Sequence, residues 1–307
     1  MKWAVIGTWK MAEEGVRLSA EILKNGGTCG DAAVAGVSYV EDEPGFHSVG
    51  YGGRPDKNGR VFLDGGFMDG DTLHFGGVAS IEGFASPVKI ARSLIRGDAN
   101  NLLVGQGAEQ YALEHGFERR DNLTKEAEEI YLKEKESRAA LSAYDGHDTV
   151  CFLAKDSSGS LCAATSTSGL FMKEPGRAGD TAFPGNGYYA DSKVGAAAAT
   201  GMGEEIMKGA LSFAAVMYMK EGLSAMEAAQ KAVNTLDTEL TERNGYAQHL
   251  TLVAMDKDGN YGVGTNKEFA FAYASDEQEL TIYTAVPENG KLHIAEMADD
   301  SQTEKKE

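Results

Sequence analysis

Cysteine is scarce in this chain of 307 residues: Cys29, Cys151 and Cys162 are the whole set. So odd and sparse a set builds no disulfide framework, and its spacing matches no zinc signature. Basic residues are in deficit, with 29 Lys and Arg against 47 Asp and Glu and a formal net charge of −18. A nucleic-acid face, which needs clustered Lys and Arg, is therefore not expected, and attraction to an anionic membrane is disfavoured for the same reason. No window approaches the ~18 uninterrupted apolar residues of a membrane-spanning helix. The amino terminus, MKWAVIGTWKMAEEG, has no long apolar stretch before a small-residue cleavage site. These absences set the expectation of a cytoplasmic, metal-free chain whose partners include neither nucleic acid nor membrane.

Glycine is what the sequence has in excess. There are 38 glycines beside only 6 prolines, about one residue in eight against a typical ~7%. No short period repeats, which excludes a collagen-like chain. Glycines scattered among apolar segments allow tight turns and close backbone approach, so the working surface is expected to use backbone groups. With 42% hydrophobic residues, the chain can bury one sizeable core or two small ones.

Apolar spacing predicts helix over residues 8–35, stopped at Asn25-Gly26-Gly27 and restarted near Thr28 or Asp31. Residues 47–70 read as two short strands around Pro55-Asp56-Lys57-Asn58-Gly59, followed by a helix over 87–96 and a strand over 102–104. Residues 119–146 are highly charged and read as a solvated helix and exposed linker. TVCFLA and SLCAATSTSG then flank the turn 155–159 as a hairpin, and a glycine-rich loop leads into a strand that enters a long apolar helix. A helix over 224–236 and the strands HLTLVAMD and GNYGVGTN complete the pattern; the tail from about residue 296 is polar and expected to fray. Such clustering favours antiparallel sheets covered by helices over a doubly wound fold.

Chemistry concentrates at Gly146-His147-Asp148-Thr149, where the charged segment meets an apolar strand. Alone, these residues read more readily as an ordinary strand start, with Asp148 in the turn and Thr149 as the first strand residue, than as a reactive site. They are followed in order by Thr165-Ser166-Thr167-Ser168-Gly169, Gly176-Arg177-Ala178-Gly179-Asp180, Pro184-Gly185-Asn186-Gly187 and Thr200-Gly201-Met202-Gly203-Glu204. Upstream lie Thr8-Trp9, Gly26-Gly27 with Asp31-Ala32, Ser48-Val49-Gly50-Tyr51-Gly52-Gly53 and Met68-Asp69-Gly70. The ordered set resembles the glycosylasparaginase (aspartylglucosaminidase) family of N-terminal nucleophile hydrolases, related to plant-type asparaginases and isoaspartyl peptidases. The resemblance spans nearly the whole chain.

It implies an α+β fold, a four-layer αββα sandwich of two antiparallel sheets flanked by helices. It also implies one domain over residues 1–307, cut before Thr149 into an α chain (1–148, with its linker at about 119–146) and a β chain (149–307), assembled as a dimer of αβ units. Thr149 would be nucleophile, with its own freed α-amino group as base, a group whose pKa lies near ~8. Thr167 would tune it, and Thr200 with the Gly201 N–H would form an oxyanion hole. Arg177 and Asp180 would hold the carboxylate and ammonium of an asparagine derivative, Trp9 would line the site, and His147 and Asp148 would serve the autocatalytic cut. No cofactor is required. The implied substrate is N4-(β-N-acetylglucosaminyl)-L-asparagine, with a β-aspartyl dipeptide or L-asparagine as the alternative. Ser168, Met202, Cys151 and Leu63-Asp64-Gly65-Gly66 depart from the family pattern without removing a catalytic group, and Ser168 and Met202 leave substrate preference open.

Two other classes deserve a hearing. Gly50-Tyr51-Gly52-Gly53 and Gly201-Met202-Gly203 invite a nucleotide site, yet neither fits G-x-G-x-x-G and no Walker lysine accompanies them. A silent, uncut binding homologue is the third possibility, and the intact Thr149, Thr167, Arg177, Asp180 and Thr200 set argues against it.

Overall fold

Ala-Val-Ile-Gly-Thr at residues 4–8 is apolar on both faces, and all five residues are buried. In the computed structural model, which describes residues 2–96, 99–137, 149–288 and 290–297, this run forms strand β1 (Ala4–Thr8), so that Thr8 ends a strand instead of opening the expected helix. A five-residue apolar run buried on both sides carries no alternation to separate strand from helix. Helices α1 (Glu13–Lys24) and α2 (Cys29–Asp42) follow, divided at the expected Asn-Gly-Gly stop, and the Thr28 hydroxyl caps α2 by accepting the Asp31 N–H at 3.1 Å.

Strands β2 (Leu63–Asp69) and β3 (Phe75–Ile81) form a hairpin, helix α3 spans Pro87–Ser93, and β4 is Leu102–Val104 with α4 at Gly105–Glu114. The hairpin turn lies at 70–74, not at 55–59. Residues 47–62 stay irregular because their backbone groups bond elsewhere: Ser48 O to Ser168 N, Pro55 O to Met172 N and Lys57 N to Lys173 O. That loop thereby fastens the segment that follows Thr167.

Helix α5 (Lys125–Ser137) lies in the charged stretch and is better anchored than its composition suggests: Ala127 and Tyr131 are buried, and the Tyr131 hydroxyl donates to the Lys57 carbonyl at 3.0 Å. Residues 138–148, with His147 and Asp148, lie outside the described residues, as does the tail beyond 297.

The second half contains β5 (Val150–Lys155), β6 (Leu161–Thr167), β7 (Tyr188–Asp191), β8 (Gly195–Gly201), α6 (Gly203–Gly209), α7 (Leu211–Lys220), α8 (Ala225–Asn244), β9 (Leu250–Asp256) and β10 (Tyr261–Thr265). The predicted long helix is broken at Ala210, which takes a left-handed φ of 43°. Three strands that the sequence reading does not assign finish the chain: β11 (Phe269–Ser275), β12 (Thr281–Glu288) and β13 (Lys291–Glu296).

Among the described residues one sheet runs β13-β12-β11-β1-β5-β6-β2-β3-β4 and another β10-β9-β8-β7. Neighbours are antiparallel except β3 and β4, which run parallel. Alternation along the strands assigns side chains to separate cores. Val150, Phe152 and Ala154 of β5 share one core with α1, α2 and α3; Cys151 and Leu153 share another with Ala196, Ala198, Val253 and Met255 of the small sheet. Ala197 and Ala199 of β8 face Ala215, Val216, Ala229 and Val233 of α7 and α8. The fold is mixed α+β with two sheets and helices. The start of β5 and the ends of β1, β6 and β8 converge at one end of it.

Candidate active site

Thr149 stands immediately before β5 and is buried. Its N–H donates to Thr200 Oγ1 at 3.0 Å, and Trp9 Nε1 donates to the same oxygen at 3.1 Å. Its carbonyl accepts the Thr8 hydroxyl at 2.7 Å, and Thr8 Oγ1 accepts the Cys151 N–H at 2.8 Å. The residue is thus clamped from β1 on one side and β8 on the other. Trp9 holds a φ of 66°, an uncommon backbone for a bulky side chain of the kind that collects at functional sites. The indole meets Phe269 and His249 edge-on, at centroid distances of 4.9 and 5.8 Å. Burial holds His249 down at about 4, with Lys267 adding to the effect, so its imidazole is neutral at pH 7.

A narrow cleft of about 10 Å³ opens beside Thr149, and Thr167, Gly169, Arg177, Asp180, Thr181 and Gly201 are among its lining residues. The Thr167 hydroxyl accepts the Gly169 N–H at 3.0 Å and donates to the Ser48 carbonyl at 3.3 Å. The Thr149 hydroxyl meets that of Thr181, with the two Oγ1 atoms 3.4 Å apart. Gly201 has a φ of 132°, and an added Cβ would lie 2.3 Å from the His249 carbonyl oxygen. Only glycine fits there.

The two charges of the glycine loop reach the cleft in different states. Arg177 is engaged by Glu204, with Nε to Oε1 at 2.8 Å and Nη2 to Oε2 at 2.6 Å. Asp180 is buried, and among the described residues no hydrogen-bond partner is found for its Oδ2. Burial pushes its carboxyl up to about 7, opposed by a backbone hydrogen bond and the Arg177 charge. Behind the cleft, buried Lys173 donates to the carbonyls of Phe62 and Ser168 at 3.1 and 2.9 Å. Its burial lowers the ammonium's pKa, while the Asp64 charge works the other way.

The structure therefore brings Thr149, Thr167, Arg177, Asp180 and Gly201 to one cleft. Thr200 is fully buried and accepts the Thr149 N–H, and the partly buried Trp9 reaches Thr149 only through Thr200; neither is among the cleft's lining residues. Sequence reasoning gave no task to Thr8, Thr181 or Glu204, although each adjoins or lies within a quoted motif; what was missing was the direction of each side chain. Among the described residues no group of three or more His, Cys, Asp or Glu is placed to hold a metal ion.

Residues 7–284 match the asparaginase family. The chain is 35% identical over 263 residues to the N(4)-(beta-N-acetylglucosaminyl)-L-asparaginase of Elizabethkingia miricola, covering 84% of this chain and 77% of that protein. It is 35% identical over 290 residues to the plant-type L-asparaginase of Pyrobaculum calidifontis, covering 89% and 90%. To the isoaspartyl peptidase/L-asparaginase of Mus musculus it is 33% identical over 261 residues, covering 82% and 78%.

Proposed function

The chain belongs to the asparaginase family, and from that premise we propose that it is an autoprocessing amidohydrolase acting on the side-chain amide of an asparagine derivative. One observation carries the reading: a buried threonine at a strand start has its nitrogen on Thr200 and its hydroxyl beside a cleft that also holds Arg177 and Asp180.

Maturation would begin with the Thr149 hydroxyl attacking the Asp148 carbonyl, an N-to-O acyl shift whose ester water then cleaves. The products are chains of 148 and 159 residues. His147 and Asp148 serve this step alone, since they end on the released α-chain terminus. The new α-amino group has a pKa near ~8, leaves a useful neutral fraction at pH 7 and lies on the same residue as the hydroxyl it must activate. In turnover the Thr149 hydroxyl proton passes to that amine and Oγ1 bonds to the substrate amide carbon. The leaving amine takes the proton as the C–N bond breaks, and water hydrolyses the ester to L-aspartate.

Thr200 suits an oxyanion role. A hydroxyl has two lone pairs and one proton; Trp9 Nε1 and Thr149 N occupy the lone pairs, which leaves the proton to donate. The Gly201 N–H is the second donor, and Thr167 and Thr181 polarise the nucleophile's surroundings. Arg177 binds the α-carboxylate and Asp180 the α-ammonium. The three cores support reading the fold as the four-layer αββα sandwich of an N-terminal nucleophile hydrolase. The expected assembly is a dimer of αβ units, and a reducing cytoplasm suits three free, buried cysteines.

The proposed substrate is N4-(β-N-acetylglucosaminyl)-L-asparagine. A β-aspartyl dipeptide or L-asparagine is the second reading, favoured by the near-equal identity to the Pyrobaculum and mouse proteins. Two measurements test the proposal: the denatured intact mass of wild type beside Thr149→Ala, and wild-type turnover of GlcNAc-Asn beside β-Asp-Leu. Wild type split before Thr149, with the variant whole, is expected, as is faster release of aspartate from GlcNAc-Asn. A wild type that stays whole overturns the maturation mechanism; faster cleavage of β-Asp-Leu moves the substrate to the second reading.

A further inference from the structure

Arg177 and Asp180 are three residues apart on one loop, bear opposite charges and line one cleft, yet they do not pair with each other. The guanidinium is bound through Nε and Nη2 by the two oxygens of Glu204. The Asp180 carboxyl is left buried with Oδ2 unpartnered. A buried carboxyl beside a guanidinium ordinarily draws it into an ion pair, so something must hold the arginine away. Glu204 is at the right place to do so. Its neighbour Gly203 abuts Asp180 so closely that an added Cβ would lie 2.8 Å from Oδ1. The two residues opening α6 thus part the two charges, one walling off the carboxyl and the other claiming the arginine.

Nη1 is the remaining face of that arginine. It lies against Gly169 and Gly179, where an added Cβ would come within 3.3 and 3.1 Å of it. Both glycines line the cleft. The grip on Nε and Nη2 therefore leaves Nη1 directed at the side from which a ligand enters.

We propose that Glu204 is a positioning residue that keeps Arg177 off Asp180 and turns its free edge to the carboxylate of an α-amino acid, so that the amino-acid subsite stays open. The inference rests on the reading of Arg177 and Asp180 as the pair that receives the substrate's charged end. Without Glu204 the arginine closes onto Asp180, and an incoming ammonium and carboxylate must first separate them. The Asp180 carboxyl is faced by Arg177 on its own loop, Glu204 on α6, Asp64 on β2 and the Cys151 thiol on β5. Releasing Arg177 toward it lowers the pH at which it ionises.

The test uses Glu204→Gln and Glu204→Asp in the full chain, with GlcNAc-Asn or β-Asp-Leu as substrate, whichever wild type turns over. Gln keeps the shape but offers one acceptor oxygen; Asp keeps both oxygens on a shorter stem. Glu204→Gln is expected to self-cleave as wild type does, to raise KM by about tenfold or more and to change kcat by less than about threefold. The acid limb of its kcat/KM profile moves to lower pH, which a loss of mere packing does not produce. Glu204→Asp falls between the two. Split, active wild type with KM and acid limb unmoved in both variants overturns the inference alone. Wild type that never splits and never turns over sinks the functional reading and this inference together.

Discussion

Asp180→Asn should make the protein more stable above neutral pH while ruining its grip on substrate. Burial holds this carboxyl at about 7 instead of an ordinary 3.8. Well below pH 3.8, folded and unfolded chains both bind the proton and the group costs nothing. Between about 4 and 7 the unfolded chain gives up its proton first, so stability falls as pH rises. Above about 7 both forms are ionised and the whole cost is present, of order ~4 kcal/mol for a gap of about three pH units. Asparagine removes the charge but introduces N–H donors near an oxygen position that has no partner, returning ~1–3 kcal/mol of the gain. Urea unfolding at pH 5 and pH 8, in a Thr149→Ala background that unfolds as one chain, measures the difference. The stability of the Asn variant minus that of its parent should climb by about 3 kcal/mol between the two pH values. The subtraction cancels Glu41, which burial also holds at about 7, and His249, held at about 4 with the opposite sign. A difference that does not change with pH refutes the argument. Saturating L-aspartate at pH 8 should then stabilise the parent and not the Asn variant, because only the parent offers the ammonium a counter-charge.

Trp9→Phe removes the indole N–H from Thr200 while keeping an aromatic against Phe269 and His249. One lost hydrogen bond of ~1 kcal/mol predicts a kcat about fivefold lower with little change in melting temperature; an unchanged kcat removes Trp9 from the oxyanion argument. Gly201→Ala forces a Cβ to 2.3 Å from the His249 carbonyl at a φ of 132°, and several kcal/mol of strain should leave it uncut or insoluble. Soluble Gly201→Ala that splits at the wild-type rate would show that the backbone there is not tightly held.

What the sequence made legible was chemistry carried by residue order. Thr149, Thr167, Arg177, Asp180 and Gly201 could be picked out because glycines and hydroxyls occur beside them in a fixed succession, and those five reach one cleft. Short-range signals also served: the helix restart near Thr28, the 155–159 turn and the strand at 102–104 all form. What could not be read was anything decided across the sheets. β1 is too short and too evenly apolar to announce itself. The 47–62 loop does turn at 56–60, yet no strands pair around that turn, because its backbone also bonds to residues 168–173. Glu204 and Thr181 are ordinary residues in helix and loop until the fold points one at Arg177 and the other at Thr149.

The position of β1 also sets an order of events during synthesis. The first strand made occupies the middle of the large sheet, paired to β5 on one side and to β11 on the other. Its last residue, Thr8, is the one that holds the Thr149 carbonyl. The sheet cannot close around β1 until residue 275 has left the ribosome, long after Thr149 itself has emerged. Contacts this distant in sequence form late. A truncated product lacking β11 leaves one flank of β1, whose Thr8 holds the Thr149 carbonyl, without its ladder. Under the proposed maturation, a cut that waits for the closed sheet would be made only on a chain whose last strands are already in place.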